Sequence, residues 1–510
     1  MNAPDLGIIA LEIFFPRFYV SQHDLEVADA CVGKYTQGLG QTSLGFCSLQ
    51  EDINSICLTV LNNLIKRTNL DLRKVGFLEV GTETIIDKSK STKTVLMELF
   101  KTAGNFDVEG VDVKNACFGG TSALFSALNW LESSNCNGRL ALVVAADIAV
   151  YGSKAARPTG GAGAVALLLG PNAPLVVDPG LRAIHMEHRY DFYKPDLSSE
   201  YPIVDGQFSM QCYREALEAC YELYKKKAVS KGLNGAVTSP WQDNLSDVNN
   251  SVDYMCLHAP FTRLIQKAVG WLGLADARKF CNLVTTSVTN NLENTQIPLH
   301  NPSPQIVSKS EFSDQVDPHI VTVLKDYCIP AEKQSTISHR ELDAICLKAT
   351  ESLYKRRVDP GLMFAKNVGN MYTASLYSCL ASLILNVPKG ELMGRRILMY
   401  SYGSGMASAM FSILVHPNRE LSTVVDFSLA SSNFADNSSG DIKYGIHECL
   451  FKRRTQVNVA DFELMLEERR ISHNSASFEP TFRPDGLFPN SYYLKTVDDR
   501  YRRFYEKLPE

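Results

Sequence analysis

Short runs of β-branched and other apolar residues recur at 75–80, 140–146, 164–169, 252–257, 362–365 and 396–401. Runs of this length predict buried strands. Between many of them the apolar positions fall at helical spacing. Ala123, Leu124, Ala127, Leu128 and Leu131 follow the i, i+3, i+4, i+7 pattern, with Thr121 or Ser122 near the helix start. Long helices are predicted over 52–67 and 210–227. Strands alternating with helices predict an α/β architecture with largely parallel sheets covered by helices. Ligands of open α/β sheets bind at the carboxyl ends of strands. Those ends lead here into Thr82-Glu83-Thr84, Asp147, His258, Asn367 with Asn370, and Tyr402-Gly403-Ser404-Gly405.

Two polar stretches interrupt the pattern. Residues 285–319 are rich in Asn, Ser, Thr and Pro, with Pro298, Pro302, Pro304 and Pro318 breaking any helix, which predicts a surface insertion. Residues 417–440 separate the core from a charged C-terminal segment, whose aromatic residues favour packing on the core over free disorder.

Composition narrows the class. A chain of 510 residues, 45% apolar and 21% charged, is ordinary for a soluble globular protein and long enough for two or more folding units. A net charge of −5 and a pI near 6.1 argue against nucleic acid or a membrane surface as partner. The first fifteen residues carry acidic groups and an apolar patch too short to span a bilayer, unlike a secretory signal or an Arg-rich transit peptide. Thirteen cysteines, an odd number without a CxxC pair, point to a reducing compartment, with the cytosol as default. The sequons at Asn244, Asn249 and Asn437 then read as chance occurrences in polar loops.

The sharpest chemical signal is Cys117, in Asn115-Ala116-Cys117-Phe118-Gly119-Gly120-Thr121. A sulfur on a turn at a helix start is exposed, approachable past two glycines, and favoured as thiolate by the peptide dipoles. Such a cysteine carries an acyl group, unless it is one more buried structural thiol. Carbon–carbon bond formation also needs a base for a weakly acidic C–H, and donors for the developing oxyanion. Glu83, after the apolar run Phe77-Leu78-Glu79-Val80, is the candidate base if burial raises its pKa; otherwise it is a solvated loop carboxylate. His258, at a strand end before Ala259-Pro260, either donates to a substrate carbonyl or is satisfied by backbone. Arg263 and Lys267, four apart on the next helix, are candidate phosphate partners or simply solvated. Asn370 and Ser404 lie in turns able to position a water, carbonyl or oxyanion. The glycine turn is neither a GxSxG elbow nor a Walker loop. With no HExxH, EF-hand loop or paired CxxC, no metal site is expected.

Longer segments carry a resemblance. Gly33-Lys34-Tyr35-Thr36 with Gly38-Leu39-Gly40-Gln41, the run from Val80-Gly81-Thr82-Glu83 to Lys90, Asn115-Ala116-Cys117, Ala156-Arg157-Pro158-Thr159-Gly160-Gly161, Tyr190-Asp191-Phe192-Tyr193-Lys194-Pro195 and Ser401-Tyr402-Gly403-Ser404-Gly405 resemble the eukaryotic-type 3-hydroxy-3-methylglutaryl-CoA synthases of the thiolase superfamily. The resemblance runs over most of the chain. It implies a thiolase-like fold of mixed sheets in two halves, 1–180 carrying Glu83 and Cys117, and 181–416 carrying His258 and Asn370, followed by a C-terminal extension, 417–510. It implies that acetyl-CoA acylates Cys117, that Glu83 removes a methyl proton, and that the carbanion equivalent attacks C3 of acetoacetyl-CoA before water releases the product. His258 then engages the acetoacetyl group, and Asn370 and Ser404 position substrate and form the oxyanion environment. Tyr151, Asp147 and Asp191 support the site, and Lys34, Arg263 and Lys267 bind CoA. No cofactor is implied, since the CoA thioesters are substrates, and a cytosolic homodimer is expected. Phe118 stands where the family has tyrosine, Arg263 where it has lysine, and the insertion is longer than expected. Another thiolase-superfamily acyltransferase, or a non-catalytic CoA-binding protein of this fold, is the alternative.

Overall fold

The computed structural model describes residues 5–152, 154–231, 252–293, 320, 323–324, 338–425 and 445–509, with backbone alone at 280–293, 339 and 423. The sequons at Asn244, Asn249 and Asn437, and the part of the expected insertion from 294 to 319, lie outside the described residues.

Five of the six apolar runs form strands: Val75–Gly81, Leu140–Ala149, Gly161–Gly170, Val252–Leu257 and Arg396–Gly403. The run at 362–365 does not. It closes the turn Asp359–Leu362 and opens the helix Met363–Val368, and all four of its side chains are buried. A short segment buried on every side leaves no period by which to tell strand from helix. The polar run also starts later than expected, because the helix Thr262–Glu293 continues through 285–293.

The strands join in a ten-stranded sheet, ordered Val252–Leu257, Arg396–Gly403, Ala407–Val415, Leu175–Val177, Gly7–Phe14, Gly161–Gly170, Leu140–Ala149, Val75–Gly81, Asp112–Val113, with Ala183–Met186 added beside Ala407–Val415. The sheet is mixed rather than largely parallel. Val75–Gly81 pairs parallel with Leu140–Ala149, and Val252–Leu257 with Arg396–Gly403. Leu140–Ala149 with Gly161–Gly170, and Arg396–Gly403 with Ala407–Val415, are antiparallel. Consecutive strands joined by a short turn can only reverse direction, so those connections fix the antiparallel pairs.

Alternation along the strands builds the layers. Ala141, Val143, Ala145, Val165 and Leu167 join the apolar cluster of the Gly119–Glu132 helix, whereas Leu142, Val144, Ala146, Ala164 and Ala166 join that of the Ile53–Thr68 helix. The first of these helices is therefore interior. Its Thr121 hydroxyl lies 2.9 Å from the Tyr377 hydroxyl of the helix Ser375–Asn386 and donates to Ser401 Oγ at 2.8 Å, tying the two halves of the sheet through the centre. Gly206–Ser230 covers Ala183–Met186 and Ala407–Val415 from outside.

The C-terminal segment packs on the core, as its aromatics predict. Phe462 and Met465 of the helix Val459–Ser472 fill a cluster with Phe18, Leu44 and Phe46. In the closing hairpin, Tyr492–Val497 with Arg503–Lys507, Leu494 N donates to Gln50 O at 2.7 Å and the Tyr505 hydroxyl to Asp52 at 2.8 Å. Asp52 also caps the Ile53–Thr68 helix through Ser55, so the hairpin is fastened to a helix start.

Candidate active site

Cys117 sits on a turn two residues before the helix that begins at Gly119. Ala116 takes a φ of 45°, and the amides of Phe118 and Gly119 donate back to Asn115 O and Ala116 O at 3.0 and 3.2 Å. The predicted placement at a helix start holds; the predicted exposure and thiolate character do not. The sulfur is partly buried, and burial, followed by the carboxylates of Glu83 and Asp147, pushes the thiol well above its ordinary range. Desolvation and two nearby anions outweigh the helix dipole.

Asp147 organises the next part of the site. Its Oδ1 accepts from Thr82 Oγ1, Glu83 N, Thr84 N and Thr84 Oγ1 at 2.8 to 3.0 Å, and its Oδ2 from Thr373 N and Thr373 Oγ1 at 3.0 and 2.6 Å. Six donors leave this carboxylate little to offer a substrate. It clamps the Thr82–Thr84 turn of one strand end to the Thr373 turn of the other half. Burial raises its pKa despite those bonds.

Glu83, thus fixed by its backbone, extends a side chain that is 9% exposed. Burial brings its carboxyl up to about 7, Lys194 opposes the shift, and Asp147 adds to it. A carboxylate titrating there accepts protons efficiently at neutral pH.

His258 continues the Val252–Leu257 strand, donating its backbone N–H to Tyr400 O at 2.8 Å and accepting from the Tyr213 hydroxyl at 2.9 Å. Burial takes its imidazole down to about 3, so the ring is neutral and retains one N–H donor. Leu257 is in register with Tyr400, which places His258 level with Ser401 at the start of the glycine turn. Asp191 holds that turn, accepting from the Tyr402 hydroxyl and Gly405 N, each at 2.9 Å. Ser404 carbonyl accepts from Asn115 Nδ2 at 3.3 Å, joining the turn to the cysteine loop. Asn370 Oδ1 accepts from Tyr372 N and Ser375 Oγ at 2.9 Å each; its amide NH2 is the end with donors to give. The Tyr151 ring meets that of Tyr372 edge to face, and burial raises its hydroxyl pKa.

The expected CoA contacts separate. Arg263 N donates to Leu39 O at 3.0 Å, so the loop carrying exposed Lys34 adjoins the helix start that carries Arg263. Lys267 instead pairs with Asp343 at 2.9 Å, and a phosphate has to compete with that carboxylate.

Comparisons with known proteins fall on this arrangement. The family described as hydroxymethylglutaryl-coenzyme A synthase N terminal matches residues 2–174, and the one described as its C terminal matches 175–305 and 299–508. The chain belongs to the hydroxymethylglutaryl-CoA synthase family. It is 42% identical to the human mitochondrial hydroxymethylglutaryl-CoA synthase over 99% of this chain and 90% of that protein. It is also 42% identical to the cytoplasmic enzyme of Cricetulus griseus, over 99% and 88%. A solved structure of MvaS in complex with 3-hydroxy-3-methylglutaryl coenzyme A superposes with a TM-score of 0.73 at 27% identity, covering all of both chains. The thiolase-like fold of the synthases is thus the fold of this chain.

In this synthase-family site, three residues escaped the sequence reading. Lys194 Nζ approaches Glu83 Oε1 at 3.4 Å and lies 4.8 Å from the Tyr372 ring centroid. Tyr372 itself has a φ of 43° and is buried, and Thr373 completes the Asp147 clamp. The signal was present in the Tyr190–Pro195 segment and the Asn370 turn, but neither segment reveals which distant group it meets.

Proposed function

We propose that this chain condenses acetyl-CoA with acetoacetyl-CoA and water, yielding 3-hydroxy-3-methylglutaryl-CoA and CoA through an acetyl group on Cys117. The observation that carries the reading is that Glu83 and Cys117 follow the ends of the paired strands Val75–Gly81 and Asp112–Val113, close enough for the carboxylate to act on the thiol, which sets a neutral-range base beside a nucleophile. The Cys117 sulfur attacks the acetyl carbonyl, CoA leaves, and the thiol proton goes with the departing sulfur. Glu83 takes a methyl proton, and the freed electron pair closes the bond to C3 of acetoacetyl-CoA. The neutral His258 N–H and the Asn370 amide steady the oxyanion that develops at that carbonyl. The proton gained by Glu83 balances the one required by the new tertiary hydroxyl. Water then splits the thioester, giving hydroxyl to the acyl carbon and hydrogen to sulfur.

Asp147 and Asp191 act in this reading by holding the turns, Tyr151 by lining the pocket with Tyr372, and Ser404 through the glycine turn. Lys34 and Arg263 meet the CoA phosphates at the rim, with Lys267 available after release from Asp343. The chemistry calls for no cofactor beyond the CoA thioesters. The product enters the mevalonate route to isoprenoids and sterols. The Asp112–Val113 strand ends the sheet, and a second copy meeting this edge makes the homodimer. Among the described residues no helix is long and apolar enough to cross a membrane; thirteen cysteines without a CxxC pair favour a reducing compartment such as the cytosol, while relatives carry both cytoplasmic and mitochondrial names.

Release of free CoA thiol from the two substrates together, with each alone and the Glu83→Ala protein as controls, tests the proposal. Release that needs both substrates and Glu83, with hydroxymethylglutaryl-CoA as product, supports it. Acetylation of Cys117 without condensation would reassign the acceptor, and no acetylation would leave a CoA-binding protein.

A further inference from the structure

Lys194 directly follows the two-residue strand Phe192–Tyr193, outside the ten-stranded sheet. Its side chain is 19% exposed, and its ammonium lies 3.4 Å from Glu83 Oε1, 4.8 Å from the Tyr372 ring centroid and 5.6 Å from that of Phe192. Two aromatic faces and one carboxylate therefore fix a cation that would otherwise be flexible. We propose that Lys194 is the positioning residue for the base, holding the Glu83 carboxylate in place and in its proton-accepting form while the acetyl group sits on Cys117. The inference rests on Glu83 being that base.

The charge surroundings make the need plain. Glu83 is buried, and Asp147 disfavours a second anion; the Cys117 sulfur is neutral as thiol and as thioester, and Tyr151 and Tyr372 are neutral phenols held far above their usual range. Across the adjoining cleft lie Asp87, Lys88, Asp196, Glu200 and His473. Glu200 is spoken for by Arg469 at 2.7 Å, and burial lowers the His473 imidazole toward its neutral form. Lys88 is exposed, and among the described residues Lys194 is the cation that reaches Glu83 at hydrogen-bonding distance. Removing it leaves a buried carboxylate beside the Asp147 anion without its counter-charge.

The aromatic seat gives a further property. The rings keep the ammonium in register even when Glu83 becomes protonated and the ion pair is lost. The base is therefore re-formed in the same geometry after each turnover.

The test compares Lys194→Met, Lys194→Gln and Lys194→Arg with the wild type and Glu83→Gln, reading Cys117 acetylation by acetyl-CoA separately from the pH profile of condensation. Expected for Met and Gln is acetylation within a few-fold of wild type, with the acid limb of condensation displaced upward by about one pH unit or more, which lowers the rate near pH 7 by at least ~5-fold. Arg restores most of the limb. An unmoved acid limb in Lys194→Gln, or equal loss of acetylation and condensation, overturns the inference, and Lys194→Gln carries the reading if Lys194→Met does not fold. Should Glu83→Gln still condense, it is the assignment of the base that fails rather than that of Lys194.

Discussion

Gly403 stands so close to Asn115 that a methyl group on its α-carbon would lie 2.3 Å from the Asn115 carbonyl oxygen, and 2.6 Å from the Phe118 amide nitrogen. Both atoms belong to the Cys117 turn, so the glycine turn is flat against that turn for want of a side chain. Gly403→Ala is expected to displace that turn and lower Cys117 acetylation by at least ~100-fold, with global stability much less affected. Acetyl transfer from labelled acetyl-CoA and a melting curve, run together, check this; a normally acetylated variant would contradict it.

The Glu83 carboxyl titrates at about 7, and only the carboxylate accepts a proton. Condensation is therefore expected to rise with pH through about 7 and then level. Glu83→Gln should keep acetylation while losing condensation by ~10²–10⁴-fold. Single-turnover condensation from pre-acetylated enzyme, followed from pH 5.5 to 9, isolates the step.

Asp147→Asn changes no volume yet turns one acceptor oxygen into a donor facing other donors. The six bonds that the carboxylate accepts cannot be met by an amide. A loss of stability on the order of 3 kcal/mol is expected, together with loss of turnover. Denaturant unfolding and steady-state rates measure the two effects; Asp147→Asn with wild-type kcat would refute the clamp.

Glu51, away from the reacting groups, is fully buried, and burial carries its carboxyl to about 8 although Arg469 opposes. Its folded value exceeds its unfolded one, so its contribution is intact below pH 4.5 and is lost as pH rises through 8. Glu51→Gln removes that titration. The melting temperature of the variant is expected to gain on the wild type as pH rises from 5 to 8, with no further gain beyond. Parallel melts that keep a constant difference would count against it.

Arg157 reaches Asp29 at 2.9 Å and Glu463 at 2.5 Å, and Asp29 receives the Tyr35 hydroxyl next to Lys34. Arg157→Met is expected to loosen this loop and raise KM for the acyl-CoA several-fold, with kcat less affected. Glu463→Gln, which spares Asp29, should do the same more weakly. KM unchanged in both would remove the loop from CoA binding.

What the chain discloses on its own depends on whether a contact is local. Strands such as 140–149 are legible because apolar character persists over their length, and Cys117 because glycines and a helical stripe follow it directly. The helix at 363–368 is illegible because uniform burial erases periodicity. The thiol's raised pKa is illegible for another reason: its causes are burial first, then Glu83 and Asp147, anions brought from other strand ends. Lys194 is 111 residues from its carboxylate, and Lys267 meets Asp343 across two helices. Charge pairing of this kind is a property of the folded surface and leaves no local trace.

The bridge from Arg157 to Glu463 also bears on when the site comes into being. Chains emerge from the ribosome amino end first, and early domains begin to fold as they appear. Asp29 and the Lys34 loop precede Glu463 by more than four hundred residues. A growing chain thus carries Glu83 and Cys117 long before this brace can form, and the Asp29 loop is fastened only after some three hundred further residues have been added.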